Sequence, residues 1–400
     1  MSPNSRDLAR HWRFVSGVVL LLLSAFFPGP GYAATSWLLP VIAVQEAFDD
    51  NVYLTPNDES EDFITRISPG LVFEPQLPDH EFKAAYLADL SYFADHSSQN
   101  TVNHNLGASA KLNFNRWRVE LDNELLYFEE RAGSEDTARV PRTSNHANAE
   151  LICVFNKLDL GLKFTQRIED YRSDNAIGAF GGRALTYQDL DSTENSGELE
   201  MGFKFWPKTA MLFGGRYGTL AYDSGNKSDS GYFDVLAGLE GEFLSKGAIE
   251  GKIGYRNQNF ENDAEDFDSV IYSIALTETF TSRDILEIAL DRTTYSTIYQ
   301  QNTYFTSSRV YGEYTHSLND RLAVRLGTTY YYNAYPTETT EGTETAERAD
   351  HLWIAACGLD YELPRWGTVN LEYTYMQKNS NFEAFDYGNN LLSLGLKKSF

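Results

Sequence analysis

Apolar and polar residues alternate along most of the chain, in segments about as long as the ten residues that a tilted strand needs to cross a bilayer. The segment "FKAAYLADLSYF" places Phe82, Tyr86 and Leu90 on one face and Lys83 and Asp89 on the other. A period of two residues is that of a β-strand with one apolar and one wet face. Later segments repeat it, with apolar faces formed by Leu106, Ala108, Ala110, Leu112 and Phe114; Leu158, Leu160, Leu162 and Phe164; Leu199, Met201, Phe203 and Phe205; and Leu322, Val324 and Leu326.

The connections between these segments alternate between short and long. Short ones include "NFNR", "NK", "WPK", "TSRD" and "PRWG", and long polar ones include "YRSDNAIGAFGGRALTYQDLDSTENS" and "YPTETTEGTETAERAD". Outer-membrane barrels have tight turns on the periplasmic side and long loops outside. A soluble sandwich also alternates polar and apolar residues, but it has no reason to keep short and long connections in rotation.

The sequence therefore predicts an all-β fold, a transmembrane antiparallel up-and-down β-barrel with short periplasmic turns and long extracellular loops. Counting from "WLLPVIAVQEAF" to "LLSLGLKKSF" gives about 18 strands, an even number as bacterial single-chain barrels have. The count falls to about sixteen if "FITRISPGLVF" and the segment before it do not both span. We expect one barrel domain over residues 34–400, with both termini on the periplasmic side.

The N-terminus has the pattern of a secretory signal peptide. Arg6, Arg10 and Arg13 precede the apolar run "VSGVVLLLLSAFF", and "GPGYAATS" supplies small residues for cleavage. The apolar run is shorter than the about 20 residues that a membrane-spanning helix needs. We therefore expect residues 1–33 to be removed on export through the inner membrane, and the mature chain to reside in the outer membrane.

Composition narrows the function further. The formal net charge is −24, and no basic patch suited to phosphate is visible, which argues against nucleic acid as a partner. The two cysteines, Cys153 and Cys357, lie far apart within alternating segments, so we expect neither a disulfide nor a metal site from them. Aromatic residues gather at strand ends, which predicts interfacial girdles comprising Tyr127, Phe128, Phe205, Trp206, Tyr330 to Tyr332 and Trp366.

The last strand, "LLSLGLKKSF", alternates up to the final residue. Its apolar face is predicted to contact lipid, while Ser393, Gly395 and Lys397 face the lumen. The pattern resembles the C-terminal signal that the barrel assembly machinery reads in bacterial outer-membrane proteins. Lys398 departs from that pattern, and we expect it to extend to the periplasmic interface. The predicted assembly signal comprises Leu392, Leu394, Leu396 and Phe400.

The stretch "EAFDDNVYLTPNDESEDFITRISPGLVFE", from Glu46 to Glu74, resembles the beginning of the second beta-barrel porin family of the outer membrane. That family begins with an Asp-Asn-aromatic stretch, a polar loop and an Ile-Ser-Pro-Gly-like strand. The resemblance implies an outer-membrane barrel. Some members accompany exopolysaccharide or capsule production, so it also implies polysaccharide export, together with other export components, as one role.

Barrel width grows with strand number, and a barrel of 16 to 18 strands leaves an aqueous channel unless a loop or plug fills it. We expect the long segment from Tyr171 to Ser196, with Gly178, Gly181 and Gly182, to fold inward and narrow the lumen. Charged residues of both signs set solute selectivity in such pores, although they also form ion pairs that only satisfy one another. The predicted pore-lining residues are Lys163, Arg167, Glu200, Lys204, Arg216, Asp234, Glu240, Lys252, Arg256 and Arg325.

Other chemistry is weakly indicated. His146 near Ser144 and His316 next to Ser317 are close His–Ser pairs, and neither has a nucleophile context such as G-x-S-x-G. The missing nucleophile context predicts no enzyme activity. No acidic loop has the spacing of a calcium loop, and we predict no metal and no cofactor.

The main functional prediction is a passive channel for small hydrophilic solutes. An export barrel for exopolysaccharide and a plugged barrel with a receptor or structural role stay open, as does the oligomeric state. The predicted partners are outer-membrane lipid and lipopolysaccharide and the barrel assembly machinery.

Overall fold

A computed structural model of the chain describes residues 37–131, 135, 138–177, 185–243, 246–261, 265–299 and 302–400. Eighteen β-strands form one sheet in these ranges. No helix within them is long and apolar enough to span a membrane. The strands are β1 (Leu38–Asp49), β2 (Asp62–Phe73), β3 (His80–Phe93), β4 (Thr101–Asn113), β5 (Trp117–Arg131), β6 (Arg139–Val154), β7 (Leu158–Tyr171), β8 (Ser192–Trp206), β9 (Thr209–Tyr222), β10 (Ser230–Phe243), β11 (Gly247–Phe260), β12 (Phe267–Thr281), β13 (Asp284–Ser296), β14 (Tyr304–Asn319), β15 (Leu322–Glu341), β16 (Glu344–Leu363), β17 (Gly367–Ser380) and β18 (Tyr387–Ser399).

The sheet is a closed barrel. Each strand pairs antiparallel with its neighbours in sequence, and β1 pairs with both β2 and β18. The seam runs from Val41 opposite Ser399 to Asp49 opposite Leu391. The backbone N–H of Phe400 donates to the carbonyl of Pro40 at 3.0 Å beyond the last paired residues. The prediction of eighteen strands is confirmed, and the closure removes the exposed sheet edges that would otherwise pair with other chains.

The two faces of the sheet have opposite characters. On β8, Leu199 is 64% exposed whereas its neighbour Glu198 is only 9% exposed. Large apolar side chains are exposed at alternate positions around the barrel, and charged groups are enclosed within it. This arrangement is the reverse of a soluble domain and suits an apolar solvent outside. Cys153 on β6 and Cys357 on β16 are free thiols.

The connections at one end, called here the short-turn end, are tight in most cases. The link between β2 and β3, residues 74–79, is longer than the others there. The opposite, long-loop end differs from the prediction at residues 335–350, which the sequence indicated to be a loop. These residues instead extend β15 and β16 into a protruding hairpin that turns at Gly342, where φ is +60°. Threonine-rich sequences favour strands, and Thr340 faces Thr345 across the hairpin with a hydroxyl contact of 3.0 Å.

The predicted aromatic girdles need a correction. Tyr127 is exposed on the outer face, but the neighbouring Phe128 points into the barrel, where the Arg142 guanidinium lies 4.6 Å from its ring centroid. Tyr331 likewise alternates with the outward Tyr330 and Tyr332. Consecutive aromatic residues on a strand cannot all face lipid, because successive side chains point to opposite faces.

The predicted signal peptide and the three glycines of the predicted constricting loop lie outside the described residues. In the described parts of that loop, Arg172, Asp174 and Gln188 are exposed, whereas the large apolar side chains are buried. Ile177, Leu185, Tyr187 and Leu190 pack in one apolar cluster that also contains Ile298, from the connection between β13 and β14. Residues from distant connections therefore meet at the long-loop end.

Candidate functional site: the lumen wall

The ten predicted pore-lining residues all lie on strands, at positions that alternate with the exposed apolar residues of the outer face. They therefore lie on the inner wall of the barrel, on β7 to β11 and on β15. Their part in permeation stays a prediction. Contacts divide them into residues that are held in ion pairs and residues that are not.

Asp234 on β10 is the centre of a buried ion cluster that includes two of the other predicted residues. It lies directly opposite Arg216 on β9 and Arg256 on β11 in the strand register. Arg256 donates to both carboxylate oxygens, at 2.8 and 3.0 Å, and Arg216 Nε donates to Oδ2 at 2.7 Å. Asp234 is fully buried. One carboxylate thus pairs with two guanidinium groups and links three neighbouring strands.

A second ion cluster lies nearer the short-turn end. Lys252 on β11 donates to Glu198 Oε1 at 2.8 Å and also forms an ion pair with Glu200. Glu198 Oε2 lies 4.0 Å from Arg216, so the two clusters meet at Glu198. Elsewhere on the wall, Lys204 pairs with Asp159 at 2.7 Å, and Arg325 pairs with Asp360 at 2.7 Å and with Glu372 at 3.1 Å.

Three of the ten predicted residues are not held in this way. Glu240 lies opposite another acid, Glu250, in the register. Arg167 reaches Glu194 only at 3.9 Å. Among the described residues, Lys163 has no carboxylate oxygen within 4.0 Å. These positions keep charge available to solute.

The wall encloses two neighbouring cavities. The short-turn cavity, about 910 Å³, lies between the β2–β3 connection and the inner faces of β3 to β7. The central cavity, about 290 Å³, lies along β6 to β10. Asn148 and Lys163 line both, so the two adjoin. The central cavity also contacts His146, Thr165, Ser196 and Tyr232.

Sequence reasoning missed these uncharged polar residues of the central cavity as site residues. The strand alternation that placed Lys163 and Arg167 inward applies equally to His146, Asn148 and Thr165. The missing information was which strands lie beside one another at which register, because that decides which side chains share a cavity.

Connections from opposite sides of the barrel meet at the long-loop end. Glu135, between β5 and β6, accepts hydrogen bonds from the Thr297 hydroxyl at 2.6 Å and the Ile298 N–H at 2.9 Å, both between β13 and β14. Lys227, between β9 and β10, donates to the Thr297 carbonyl at 2.5 Å. Burial raises the pKa of Glu135 and lowers the pKa of Lys227 to about 8. These contacts join three connections at the long-loop end.

The His–Ser pairs do not form a catalytic arrangement in the part of the chain that is described. The Ser144 hydroxyl donates to Glu169 at 2.7 Å, while His146 contacts the Asn148 amide at 3.4 Å. His316 contacts Asp284 at 2.7 Å. The described part of the chain contains no group of three or more His, Cys, Asp or Glu residues placed to hold a metal ion.

Comparison with known families matches residues 28–400 to the sequence family described as "Putative beta-barrel porin 2". The chain belongs to this porin family. This match confirms the family that the stretch from Glu46 to Glu74 suggested. Membership and the closed barrel indicate an outer-membrane location and a channel rather than an enzyme. No curated protein sequence matches this porin.

Solved structures similar to this porin include proteins of Acinetobacter baumannii and Pseudomonas aeruginosa. Acinetobacter baumannii OccAB4 is 11% identical with a TM-score of 0.49, covering 91% of this chain and 99% of that one. Pseudomonas aeruginosa OccK3 (OpdO) is 13% identical with a TM-score of 0.48, covering 91% and 96%. P. aeruginosa OpdK, solved with vanillate, is 10% identical with a TM-score of 0.46, covering 91% and 99%. At these values the similarity says nothing about which solute this porin passes.

Proposed function

We propose that this porin is a passive channel for small hydrophilic solutes. The observation that supports this most directly is the pair of adjoining cavities along the inner wall, which share Asn148 and Lys163. Together they extend from the short-turn end to the level of Arg167 and Glu194. Charged and amide groups line this space, and such groups favour hydrated and polar solutes over apolar ones.

Connections meet across the long-loop end, where Glu135 binds Thr297 and Ile298, and we infer that the proposed path is narrowest there. A narrow entrance limits passage to small solutes and predicts small conductance steps. The same contacts would be retained in a barrel that is plugged, so the rate of solute passage decides between a channel and a plugged receptor or structural barrel.

The test is planar-bilayer conductance of the purified, refolded protein, with liposome swelling in sugars of increasing size as the second measurement. We expect single-channel steps in potassium chloride and swelling that falls off above monosaccharide size. Heat-modifiable migration on gels serves as the control that the barrel is folded. Folded protein without conductance steps or swelling would contradict the channel and indicate a plugged barrel. Swelling that persists with long oligosaccharides would instead indicate a polysaccharide export barrel.

We further infer that residues 1–33 are cleaved on export and that the barrel assembly machinery inserts the chain among outer-membrane lipid and lipopolysaccharide. The basic, apolar and small-residue order of the N-terminus supports the first inference. The alternating last strand, which closes the barrel, supports the second. N-terminal sequencing of the protein from outer membranes tests the cleavage: an N-terminus at Ala34 or Thr35 is expected, and an intact Met1 would contradict it.

A further inference from the structure

The central cavity offers about 290 Å³, the space of roughly ten water molecules at about 30 Å³ each. This is room for one small organic molecule. Most of its wall is polar: amide, hydroxyl, imidazole and charged groups converge on it from β6 to β10. Convergent polar groups around a small enclosed space are the usual form of a site that orients a ligand.

The acidic groups of this cavity are already engaged. Glu198 accepts from Lys252 at 2.8 Å and is 9% exposed. Glu194 accepts from the Tyr232 hydroxyl at 3.0 Å. The basic Arg216 is engaged too, because it donates to the buried Asp234. An added ligand gains little by replacing these contacts.

Lys163 and Arg167 differ from these groups. Glu150 and Glu198 flank Lys163 in the register, but neither carboxylate lies within 4.0 Å of its ammonium. Glu198 is instead directed to Lys252, and the Glu150 carboxylate lies close to Gly161. The side chain of Arg167 is 49% exposed and lies 3.9 Å from Glu194. The charge that remains available to a ligand in this cavity is therefore positive.

Lys163 and Arg167 are four residues apart on β7, about 13 Å along a strand at about 3.3 Å per residue. Thr165 lies between them on the same face, and its hydroxyl donates to the Asn148 side-chain carbonyl at 2.8 Å. His146 lies directly opposite Arg167 in the register. Basic groups thus stand at both ends of a short polar strip.

We propose that the central cavity binds a small hydroxylated carboxylate, of the sugar-acid or hydroxy-acid class, on its way through the channel. The carboxylate pairs with Lys163 at one end of the strip or with Arg167 at the other, and Asn148 and Thr165 contact the hydroxyl groups. Lys163 also borders the short-turn cavity, so it is the group that exchanges the anion between the two spaces. This inference rests on the proposed channel function for its physiological meaning, although binding itself does not require conduction.

The experiment uses glucuronate as the probe and glucose as its neutral counterpart. Isothermal titration calorimetry on the refolded full-length protein measures binding, and glucuronate block of the potassium chloride current measures the effect on the channel. We expect saturable glucuronate binding and block, with glucose at least about tenfold weaker, which is a difference of about 1.4 kcal/mol. The double variant Lys163→Gln, Arg167→Gln is expected to raise the half-blocking concentration of glucuronate at least about tenfold.

The matched control is Arg66→Gln, Lys397→Gln, which removes the same charge from β2 and β18 elsewhere on the barrel wall and is expected to keep the wild-type half-blocking concentration. Equal losses in the two double variants would overturn the site in favour of a general effect of lumen charge. Conductance without glucuronate binding or block would also overturn it. Glucuronate binding without any conductance would leave the site standing and contradict the channel function, so the two failures are distinguishable.

Discussion

Arg256 on β11 donates two parallel hydrogen bonds, of 2.8 and 3.0 Å, to the carboxylate of Asp234 on the neighbouring strand β10. Asp234 has no exposed surface, and Arg216 binds it from the other side. The side chains of the three residues belong to adjacent strands at the same level. Replacing a carboxylate that is buried between two guanidinium groups by a neutral group is costly, because Arg256 then loses its carboxylate partner and Arg216 keeps only the more distant Glu198.

Asp234→Asn is therefore expected to destabilise the barrel by about 3–5 kcal/mol, the cost of leaving a buried charge without its partner. The measurement is the urea midpoint for loss of heat-modifiable migration in lipid vesicles. Asp360→Asn is the matched control, because it removes the same charge from the more exposed ion pair with Arg325. Exposed pairs contribute about 0–1 kcal/mol. Similar losses in the two variants would contradict the central role of Asp234.

Gly218 lies directly opposite Tyr232, whose ring covers it so closely that a Cβ at Gly218 would lie 2.3 Å from Tyr232 Cζ. Gly218→Ala must displace the ring and weaken its hydrogen bond to Glu194. We expect the free energy of unfolding to fall by about 1–3 kcal/mol, as at other overpacked sites. Gly107→Ala on β4, where a Cβ meets no atom within 4 Å, is expected to stay within about 0.5 kcal/mol of wild type. Urea midpoints of the two variants compare them, and equal midpoints would contradict the expectation.

Burial lowers the pKa of Lys227 from its ordinary 10.5 to about 8. Between pH 8 and pH 10.5, Lys227 binds a proton in the unfolded chain but not in the folded protein. The free energy of unfolding therefore rises with pH through this window, and this gain is lost as the pH falls toward 8. The full difference is on the order of 3 kcal/mol. We expect the thermal midpoint for loss of heat-modifiable migration to rise from pH 8 to pH 10 in wild type more than in Lys227→Met, which cannot titrate. Parallel shifts in both proteins would contradict it.

The last strand is expected to direct assembly as well as close the barrel. Deleting Phe400 removes the hydrogen bond to Pro40 and the ring over which Lys398 lies, at 4.7 Å from its centroid. We expect the folded fraction in the outer membrane to fall severalfold, measured by heat-modifiable migration of membrane fractions. Phe400→Tyr, which keeps the ring and the backbone contact, serves as the control. An unchanged folded fraction after the deletion would argue against a terminal assembly signal.

Much of the architecture follows from local pattern. The alternation at Leu199 and Glu200, or at Leu392 and Ser393, assigns each side chain to one face, because the period of a strand is two wherever it pairs. The rotation of short and long connections, with the strand count, then predicts the barrel and its orientation. Lys398 lies near the rings of Trp366 and Phe400, and its position at the periplasmic interface stays a prediction.

Two predictions from the sequence were wrong, and strand geometry explains both. Phe128 and Tyr331 were assigned to girdles by their neighbourhood in sequence, but alternation turns them inward. Residues 335–350 were expected to form a loop because they are polar, whereas pairing of Thr340 with Thr345 continues the strands. Polarity does not distinguish a polar loop from a polar hairpin, and this hairpin also has a buried face that includes Tyr335, Thr339 and Arg348.

The sequence by itself determined the two-residue alternation that gives each strand an outer and an inner face, a count of about eighteen strands and an outer-membrane location, because these depend on periodicity and on the order of short and long connections. Only the tertiary structure decided which inward groups neutralise one another and which stay available to a solute. Asp234 meets Arg216 and Arg256, and Lys163 meets no carboxylate among the described residues, because strand register and side-chain reach set those distances. Pairing between strands is a non-local choice, so the pattern within any one strand does not contain it.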